Sequence, residues 1–341
     1  MHAAKDITIY DIAEALDLSA STVSRGLKNH PAIRQETKKI ILDKAKELGY
    51  QHNLFASNLR RSKTNTIGLI VPRLNSYFMS TVISGIEKIA NDSGYNLIIS
   101  QSLESVKKEM INVATLFNSR VDGLLISAAY DTEDISHFDV FTSKNIPLIF
   151  FDRVLEHPSC TKIVIDNFKA GYEVTRHLID QGCNRIVHLT ASQKRNVYVE
   201  RLRGYKAALS DCGISYDENL VLVSNLSDHA GAEAATSILQ MRPMPDGIFS
   251  ANDCCAVSCL RTLKANGINI PSDIAIAGFN NDPLSKVIEP NLTTVDYPGR
   301  EMGEAAANLL IRKMTKGDPF APFTMMLQHT LIIRDSSLRN L

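Results

Sequence analysis

The sequence predicts a small all-α head with a helix-turn-helix, followed by an α/β core built from two similar parallel-sheet lobes. In the first 50 residues, apolar side chains recur at helical spacing. From about Thr64 onward, short apolar runs such as TIGLIVP and DGLLIS alternate with helix-like segments, which is typical of parallel sheets covered by helices. The 341 residues contain enough strand and helix units for two lobes in addition to the head.

The head is predicted to contain three short helices. The first begins after Thr8, a candidate N-cap with Asp11 in a capping-box position. Ser19 can cap a second helix over residues 20–27, and a third helix is predicted over residues 35–48. The predicted inward-facing residues of the second and third helices are Val23, Leu27, Ile40, Ile41, Ala45 and Leu48.

The second helix of a helix-turn-helix enters the DNA major groove with its N-terminal residues against the base edges. Here residues 19–25 carry four hydroxyl side chains and one arginine. Small hydroxyl side chains allow close approach to DNA and donate to phosphates or bases, while arginine binds guanine or phosphate. Capping and turn formation is the alternative role of these serines and threonines. The DNA-binding residues predicted in the head are Thr8, Tyr10, Ser19, Ala20, Ser21, Thr22, Ser24 and Arg25.

Charge is distributed unevenly along the chain, although the net charge of the whole sequence is zero. Residues 1–63 contain 11 Lys and Arg against 7 Asp and Glu, a net charge of +4, and the remaining 278 residues carry −4. A basic head on a weakly acidic body predicts that the head meets a polyanion. A chance asymmetry of a solvated surface is the alternative.

Composition and motifs exclude several classes of protein. The hydrophobic content of 44% and charged content of 22% are ordinary for a globular protein, and no apolar run is long enough to span a membrane. The N-terminal residues lack the apolar segment of a signal peptide, so we expect a cytoplasmic protein with six free cysteines. The sequence has no nucleophile-elbow, phosphate-loop, dinucleotide or zinc-protease motif. We therefore expect no enzymatic activity, no cofactor and no metal.

The stretch TIYDIAEALDLSASTVSRGL closely resembles the LacI–GalR (lactose repressor/purine repressor) family of bacterial transcriptional regulators. The resemblance continues through ELGYQHNLFASNLRRSKTNTIGLIVP, RLRGYKAAL, FSANDCCAVSCLRTLKANGINIPSDIAIAGFNND and NLTTVDYPGREMG, in the family's order over nearly the whole chain. It implies a homodimeric repressor that binds pseudo-palindromic double-stranded operator DNA at the bacterial nucleoid, without a membrane partner. It also implies a periplasmic-binding-protein-like core that binds a small-molecule effector, a sugar or sugar derivative, between its lobes.

The segment NLFASNLRR at residues 53–61 matches the hinge helix of that family. In the family, two hinge helices fold together on the operator and a leucine from each enters the minor groove. This implies Leu59 as an apolar wedge, beside the small Ala56 and the polar Asn53. We therefore place the head at 1–52, the hinge at 53–63 and the core at 64–341. Within the core, lobe 1 is expected at about 64–164 and 295–324, and lobe 2 at about 165–294 and 325–341.

Ligands of open α/β sheets bind beyond the carboxyl ends of the strands. Polar residues follow several predicted strands here, including Gln101 after LIIS and Asp152 after LIFF. The resemblance implies Asp152, Arg201, Asn252 and Asn280 as effector contacts, with the arginine as a fork-shaped donor to a carboxylate or to sugar hydroxyls.

Three positions depart from the family pattern. Leu226 replaces an aromatic residue that several members carry, Asn280 replaces an aspartate, and Tyr297 replaces a glutamine, so the effector does not follow from the family alone. The predicted effector-binding residues are Tyr77, Phe78, Gln101, Asp152, Phe168, Arg201, Leu226, Asn252, Asn280 and Tyr297. Core packing is the alternative role of the three aromatic residues at 77, 78 and 168.

Two other functions fit parts of the sequence. The core alone fits a solute-binding protein, although the basic head argues against that function, and the core could also respond mainly to a protein partner. Under the regulator hypothesis, effector binding changes the angle between the lobes and thereby the affinity for DNA. Release of DNA by a sugar-type inducer is the more common behaviour in the family and is the one we expect here.

Overall fold

The computed structural model describes residues 7–50, 63–155, 160–316 and 321–339. The chain divides into two compact units, Met1–Thr64 and Asn65–Leu341, and each is described by itself. Within the described residues, no helix is long and apolar enough to cross a membrane.

The first unit contains the three predicted helices, α1 Ile9–Leu16, α2 Ala20–Leu27 and α3 Gln35–Glu47. Its core is small and consists of Ile12, Ala13, Val23, Ile41 and Ala45. The capping box of α1 is present, because the backbone N–H of Thr8 donates to the Asp11 carboxylate at 2.7 Å.

One predicted core residue of the head is wrong. Ile40 is 54% exposed, whereas its neighbour Ile41 is fully buried. Gly26 of α2 is buried instead, and a Cβ added there would lie 2.5 Å from Ile41 Cδ1. The two helices therefore meet at Gly26 and Ile41, which leaves Ile40 on the outer side of α3.

The second unit begins with lobe 1, a six-stranded parallel sheet whose neighbouring strands are, in order, Thr324–Leu327, Thr161–Ile165, Leu148–Phe151, Gly123–Ile126, Thr66–Val71 and Asn96–Gln101. The four inner strands are buried apolar runs, whereas the two edge strands are partly exposed. The elements up to the end of the fifth strand are β1 Thr66–Val71, α4 Tyr77–Asp92, β2 Asn96–Gln101, α5 Val106–Asn118, β3 Gly123–Ile126, α6 Asp139–Thr142, β4 Leu148–Phe151 and β5 Thr161–Ile165.

Lobe 2 is a four-stranded parallel sheet in the order β7-β6-β8-β9. Its elements are α7 Asn167–Asp180, β6 Ile186–Thr190, α8 Asn196–Asp211, β7 Val221–Val223, α9 Asp228–Gln240, β8 Gly247–Ser250, α10 Asp253–Ala265, β9 Ala275–Ala277 and α11 Leu284–Val287. Helix α8 begins three residues before its predicted start at Val199, because Val197 and Tyr198 are buried on its inner face.

The chain then passes between the lobes again. The remaining elements are β10 Thr294–Asp296, α12 Gly299–Lys316, β11 Thr324–Leu327 and β12 Thr330–Ile332. Strand β11 pairs with β5 in the sheet of lobe 1, and β12 pairs antiparallel with β10. The sequence placed the return to lobe 2 at residue 325, whereas the pairing of β11 keeps the chain in lobe 1 as far as Leu327.

Glycines allow two close helix contacts in the core. A Cβ on Gly303 of α12 would lie 2.1 Å from the Val82 carbonyl oxygen of α4. A Cβ on Gly171 of α7 would lie 2.4 Å from the Arg201 carbonyl oxygen of α8. The second contact fixes the backbone that carries Arg201 in lobe 2.

Candidate nucleic-acid interface and interlobe cleft

Helix α2 separates its packing residues from its polar residues. Val23 and Gly26 are buried against the head core, whereas Ser21 and Arg25 are exposed. Three of the predicted residues, Ala20, Thr22 and Ser24, are half-buried. The helix therefore presents a polar face at its N-terminal end.

The hydroxyl groups at the start of α2 are connected to one another. The Ser19 hydroxyl oxygen lies 2.8 Å from the hydroxyl oxygens of both Ser21 and Thr22. The same oxygen accepts a hydrogen bond from the Thr22 backbone N–H at 3.2 Å, so Ser19 caps the helix as predicted from the sequence. Capping and a polar surface are thus combined in one group of side chains.

The remaining predicted residues of the DNA-binding set fall into two groups. Thr8 caps α1 and accepts from the Tyr10 backbone N–H at 3.3 Å, while the Tyr10 side chain is 66% exposed. Asn53, Ala56 and Leu59 lie outside the described residues.

In the core, Arg201 lies at the centre of a buried cluster and is 3% exposed. Its Nε donates to Asn167 Oδ1 and its Nη1 donates to the Ala251 carbonyl oxygen, each at 2.9 Å. The guanidinium carbon lies 3.5 Å from the centre of the Phe279 ring. Burial lowers the pKa of Arg201 from the usual arginine value.

Asp152 and Tyr297 join this cluster from lobe 1 and from the crossover after β10. The Tyr297 hydroxyl donates to Asp152 Oδ1 at 2.7 Å, and Ser127 donates to Asp152 Oδ2 at 3.2 Å. The Tyr297 ring stacks on Phe78 with 4.1 Å between ring centres and lies 5.6 Å from the Arg201 guanidinium carbon. Burial, with the nearby Asp152 carboxylate, raises the pKa of Tyr297 well above its usual value.

Two other predicted effector-binding residues, Asn252 and Leu226, are joined by a hydrogen bond. Asn252 caps α10 by accepting from the Cys255 backbone N–H at 2.8 Å, and its Nδ2 donates to the Leu226 carbonyl oxygen at 2.9 Å. Asn280 adopts a left-handed backbone with φ of 110°, and its N–H donates to the Val295 carbonyl oxygen. These residues shape the carboxyl edge of the lobe 2 sheet.

The other predicted residues have their contacts elsewhere. Gln101 accepts from the Leu74 backbone N–H at 2.8 Å. Phe168 is half-buried with the Arg203 guanidinium 5.6 Å from its ring, and Tyr77 is about half exposed at the start of α4. The structure therefore brings together Phe78, Asp152, Arg201 and Tyr297, and leaves these three outside that cluster.

A cluster that the sequence did not predict bridges the two lobes. Arg153 donates to Glu104 Oε2 at 2.6 Å, and its guanidinium carbon lies 4.3 Å from the centre of the Tyr130 ring. From α8 of lobe 2, the Tyr198 hydroxyl oxygen approaches that of Tyr130 to 3.1 Å. Burial raises the pKa of Tyr130.

A cavity of about 340 Å³ lies beside this bridge. Asn196 connects it to the Arg201 cluster, since its Nδ2 donates to the Asp152 carbonyl oxygen and its Oδ1 accepts from the Val154 N–H, both at 3.0 Å. The lining residues are Glu133, Val154, Leu155, Lys194, Arg195 and Asn196. None of them belongs to the set predicted from the sequence. A predicted helix start at residue 196 would have drawn attention to Asn196 alone, since the other lining residues are not on α8.

Metal binding finds no support in the described part of the chain, which contains no group of three or more His, Cys, Asp or Glu side chains able to hold an ion. The cleft instead offers hydrogen-bond donors, one buried carboxylate and aromatic faces. Such a set suits a polar organic ligand.

Comparisons with known proteins match both parts of the chain. Residues 8–53 match the model of bacterial regulatory proteins of the lacI family, and residues 175–337 match a periplasmic binding protein-like domain. The HTH-type transcriptional regulator RegA of Clostridium saccharobutylicum is 30% identical over 97% of this chain and 99% of its own length. The structure of a complex of the transcriptional regulator CelR with cellobiose is 26% identical, covers 97% of this chain and 99% of its own, and has a TM-score of 0.73. The lac repressor dimer bound to operator and the anti-inducer ONPF has the same fold, with a TM-score of 0.87, 23% identity and coverage of 98% and 100%.

Proposed function

The chain belongs to the LacI family of bacterial transcriptional regulators, and from that premise we propose that it is a dimeric repressor whose operator affinity is set by an effector bound between the core lobes. Its relatives are regulators and not enzymes, and the chain is a regulator of the same kind. The observation that carries the proposal is the polar face of α2, with Ser21 in the first turn and Arg25 in the last turn both exposed on a helix-turn-helix.

In this proposal the head reads DNA through α2. The Ser19 hydroxyl lies 2.8 Å from those of Ser21 and Thr22, and Ser19 and Ser21 are exposed, so this group can contact base edges or phosphates. Arg25 supplies a donor for guanine or phosphate. Asn53, Ala56 and Leu59 are proposed to add the minor-groove contact, and binding to operator DNA would place the protein at the nucleoid.

The effector is proposed to bind at the Arg201 cluster between the lobes. Asp152, Arg201 and Tyr297 supply an acceptor, a donor and an aromatic face, and they come from both lobes and the crossover. The complex of CelR with cellobiose supports a carbohydrate or carbohydrate derivative as the ligand class. The two lobes can adopt two relative arrangements, and a ligand that bridges them stabilises one arrangement over the other. The effector then changes the affinity for DNA, and DNA changes the affinity for the effector by the same factor.

The homodimer is proposed to form through lobe 1. Strand β2 is at the edge of the described sheet and carries exposed Ile98 and Ile99, and α5 beside it carries exposed Met110 and Ile111. An edge strand with exposed apolar side chains favours pairing with another chain. The lac repressor, which has the same fold, forms a dimer and supports a dimer here.

The test is a selection of DNA by the purified full-length protein from a randomised duplex pool at a stated salt concentration. We expect enrichment of an inverted repeat, since a symmetric dimer reads two half-sites. A pool that shows no enrichment, with the protein folded, would contradict the proposal. An equal enrichment by the Arg25→Ala variant would remove Arg25 as a residue that reads the sequence.

A further inference from the structure

Arg195 is a buried cation at the cavity between the lobes. It is 3% exposed and lines the cavity together with Lys194 and Asn196. The Nη2 atom of Arg195 donates to the carbonyl oxygen of Thr132 in lobe 1. The Nε atom of Arg195 has no hydrogen-bond partner among the described residues. An unpaired donor on a buried charge is costly unless a ligand completes it.

The carboxylates near Arg195 are engaged by other groups. Glu109 accepts from the Ala129 N–H and the Thr132 hydroxyl and lies 2.9 Å from His137 Nε2. Glu133 pairs with Lys194 at 2.6 Å on the exposed rim of the cavity. Within the described ranges, no carboxylate forms an ion pair with Arg195.

Arg195 has charged neighbours of both signs. Burial and then the positive charge of Arg153 lower the pKa of Arg195, whereas the carboxylates of Glu109, Asp131 and Glu104 act in the opposite direction. Arg153 is balanced by Glu104, at 2.6 Å. A bound oxyanion would supply the negative charge that Arg195 lacks.

The start of α8 adds further donors. Arg195 is the N-cap residue of this 16-residue helix and offers no side-chain acceptor to the N–H groups of the first turn. A helix N-terminus attracts negative charge through these N–H groups and the helix dipole. Arg195 and Asn196, the first residue of α8, line the cavity together with Lys194.

We propose that the effector is anionic and that its carboxylate or phosphate group binds Arg195, Lys194 and the first turn of α8, while its remaining polar groups reach the Arg201 cluster. This inference rests on the proposed function and narrows the effector class to an acidic or phosphorylated sugar. Asn196 connects the two places, because it contacts Asp152 and also lines the cavity.

The first test uses inorganic phosphate as the probe and the full-length protein without DNA. Phosphate, against sodium chloride at equal ionic strength, should raise the melting temperature of the wild type by about 2 °C or more. Arg195→Gln should remove this rise, and Lys194→Gln, at the exposed rim, should weaken phosphate binding several-fold without affecting folding. The matched control is Arg176→Gln, which removes an exposed arginine paired with Asp180 and should keep the full rise.

A second arm identifies the anion. Affinities are measured for three compounds with the same six-carbon skeleton: glucose, which is neutral, glucose 6-phosphate, which carries a phosphate, and gluconate, which carries a carboxylate. We expect at least tenfold preference for one of the anions over glucose, lost in Arg195→Gln. An equal phosphate effect in the wild type and both cavity variants would overturn the inference. Failure of this inference can be distinguished from failure of the proposed regulator function, because enrichment of operator DNA is measured without phosphate or sugar.

Discussion

The head and the interlobe cleft use polar side chains in opposite ways. On α2, the residues that pack are Val23 and Gly26, and the residues proposed to read DNA are the outward-facing Ser21 and Arg25. In the cleft, Arg201 is 3% exposed and is held by hydrogen bonds to the surrounding fold. Apart from the capping Ser19, the residues proposed to read DNA differ from those that pack the head, whereas the residue proposed to bind the effector is itself part of the packed core.

This difference has a simple physical origin. DNA is a large polyanion that binds to an exposed surface, so the side chains that contact it need not be buried in the folded protein. A small ligand is enclosed, and the groups that bind it are buried and must be hydrogen-bonded when it is absent. Asp152, which accepts from both Tyr297 and Ser127, illustrates the second case. Substitutions ranked by their effect on unfolding test the comparison directly.

The largest loss of stability is expected at the close contact of α7 and α8. A Cβ on Gly171 would lie 2.4 Å from the Arg201 carbonyl oxygen, and neither backbone can move without separating the helices. Gly171→Ala should lower the free energy of unfolding by about 3 kcal/mol and abolish the effector response. Denaturant unfolding measures the first and effector titration the second. Gly94→Ala is the control, because nothing lies within 4 Å of its Cβ, and its left-handed backbone should cost only about 1 kcal/mol. Equal losses of unfolding free energy in Gly171→Ala and Gly94→Ala would show that the close contact of α7 and α8 does not determine the stability of this region.

A pH-dependent loss is expected at His188 of β6. Its Nδ1–H donates to the Phe249 carbonyl oxygen, and burial lowers its pKa to about 4. Because the unfolded chain binds a proton below pH 6.5 and the folded chain does not, stability falls as the pH decreases toward 4, by about 2 kcal/mol between pH 6.5 and 5. His188→Asn keeps a donor and removes this slope. Denaturant unfolding of both proteins is compared at each pH.

The pH experiment compares the unfolding free energy of wild type with that of His188→Asn at each pH, because Asp282 changes stability with pH in the opposite direction. Burial raises the pKa of Asp282 to about 6, so its contribution to stability decreases as the pH rises from 4 to 6. Asp282 is present in both proteins and cancels in the difference. Parallel pH profiles of wild type and His188→Asn would contradict the assignment to His188.

A smaller loss is expected when one partner of the Asp152 carboxylate is removed. Tyr297→Phe deletes the hydroxyl that donates to Asp152 Oδ1 at 2.7 Å and leaves a buried acceptor short of a donor. The free energy of unfolding should fall by about 1–3 kcal/mol, and effector affinity should change with it. Tyr216→Phe is the control at a position that is 42% exposed, with an expected change within about 0.5 kcal/mol. An unchanged stability in Tyr297→Phe would mean that the cleft, like the head, separates function from folding.

The head could be predicted well from the sequence because its determinants are local. The bounds of α2 follow from Ser19 as N-cap and from the spacing of Val23 and Leu27. The error at Ile40 has a physical cause, since two adjacent isoleucines cannot both face one partner helix, and only the approach of Gly26 to Ile41 decides between them.

The cleft was predicted in part, for a different reason. Asp152 and Tyr297 are 145 positions apart and meet only in the fold. The polar position after a strand pointed to Asp152, whereas only the family resemblance pointed to Tyr297. Lys194 and Arg195 were not among the residues predicted from the sequence. The burial of Arg195 depends on its contact with Thr132 of lobe 1, which no local pattern contains.

The smallest change in stability is expected on the outer face of α2. Arg25 is exposed at the last turn of this helix, so Arg25→Ala should alter the free energy of unfolding by no more than about 0.5 kcal/mol. The same substitution should weaken binding to the selected operator at least tenfold, since one arginine–guanine pair is worth about 1–3 kcal/mol. Lys46→Ala of α3 removes one exposed positive charge as well and serves as the matched control. Its effect should be similar on specific and random DNA, because it acts through phosphate attraction alone. If Arg25→Ala instead weakens both DNAs equally, Arg25 contributes charge and not sequence recognition, and the reading function of α2 falls to its hydroxyl groups.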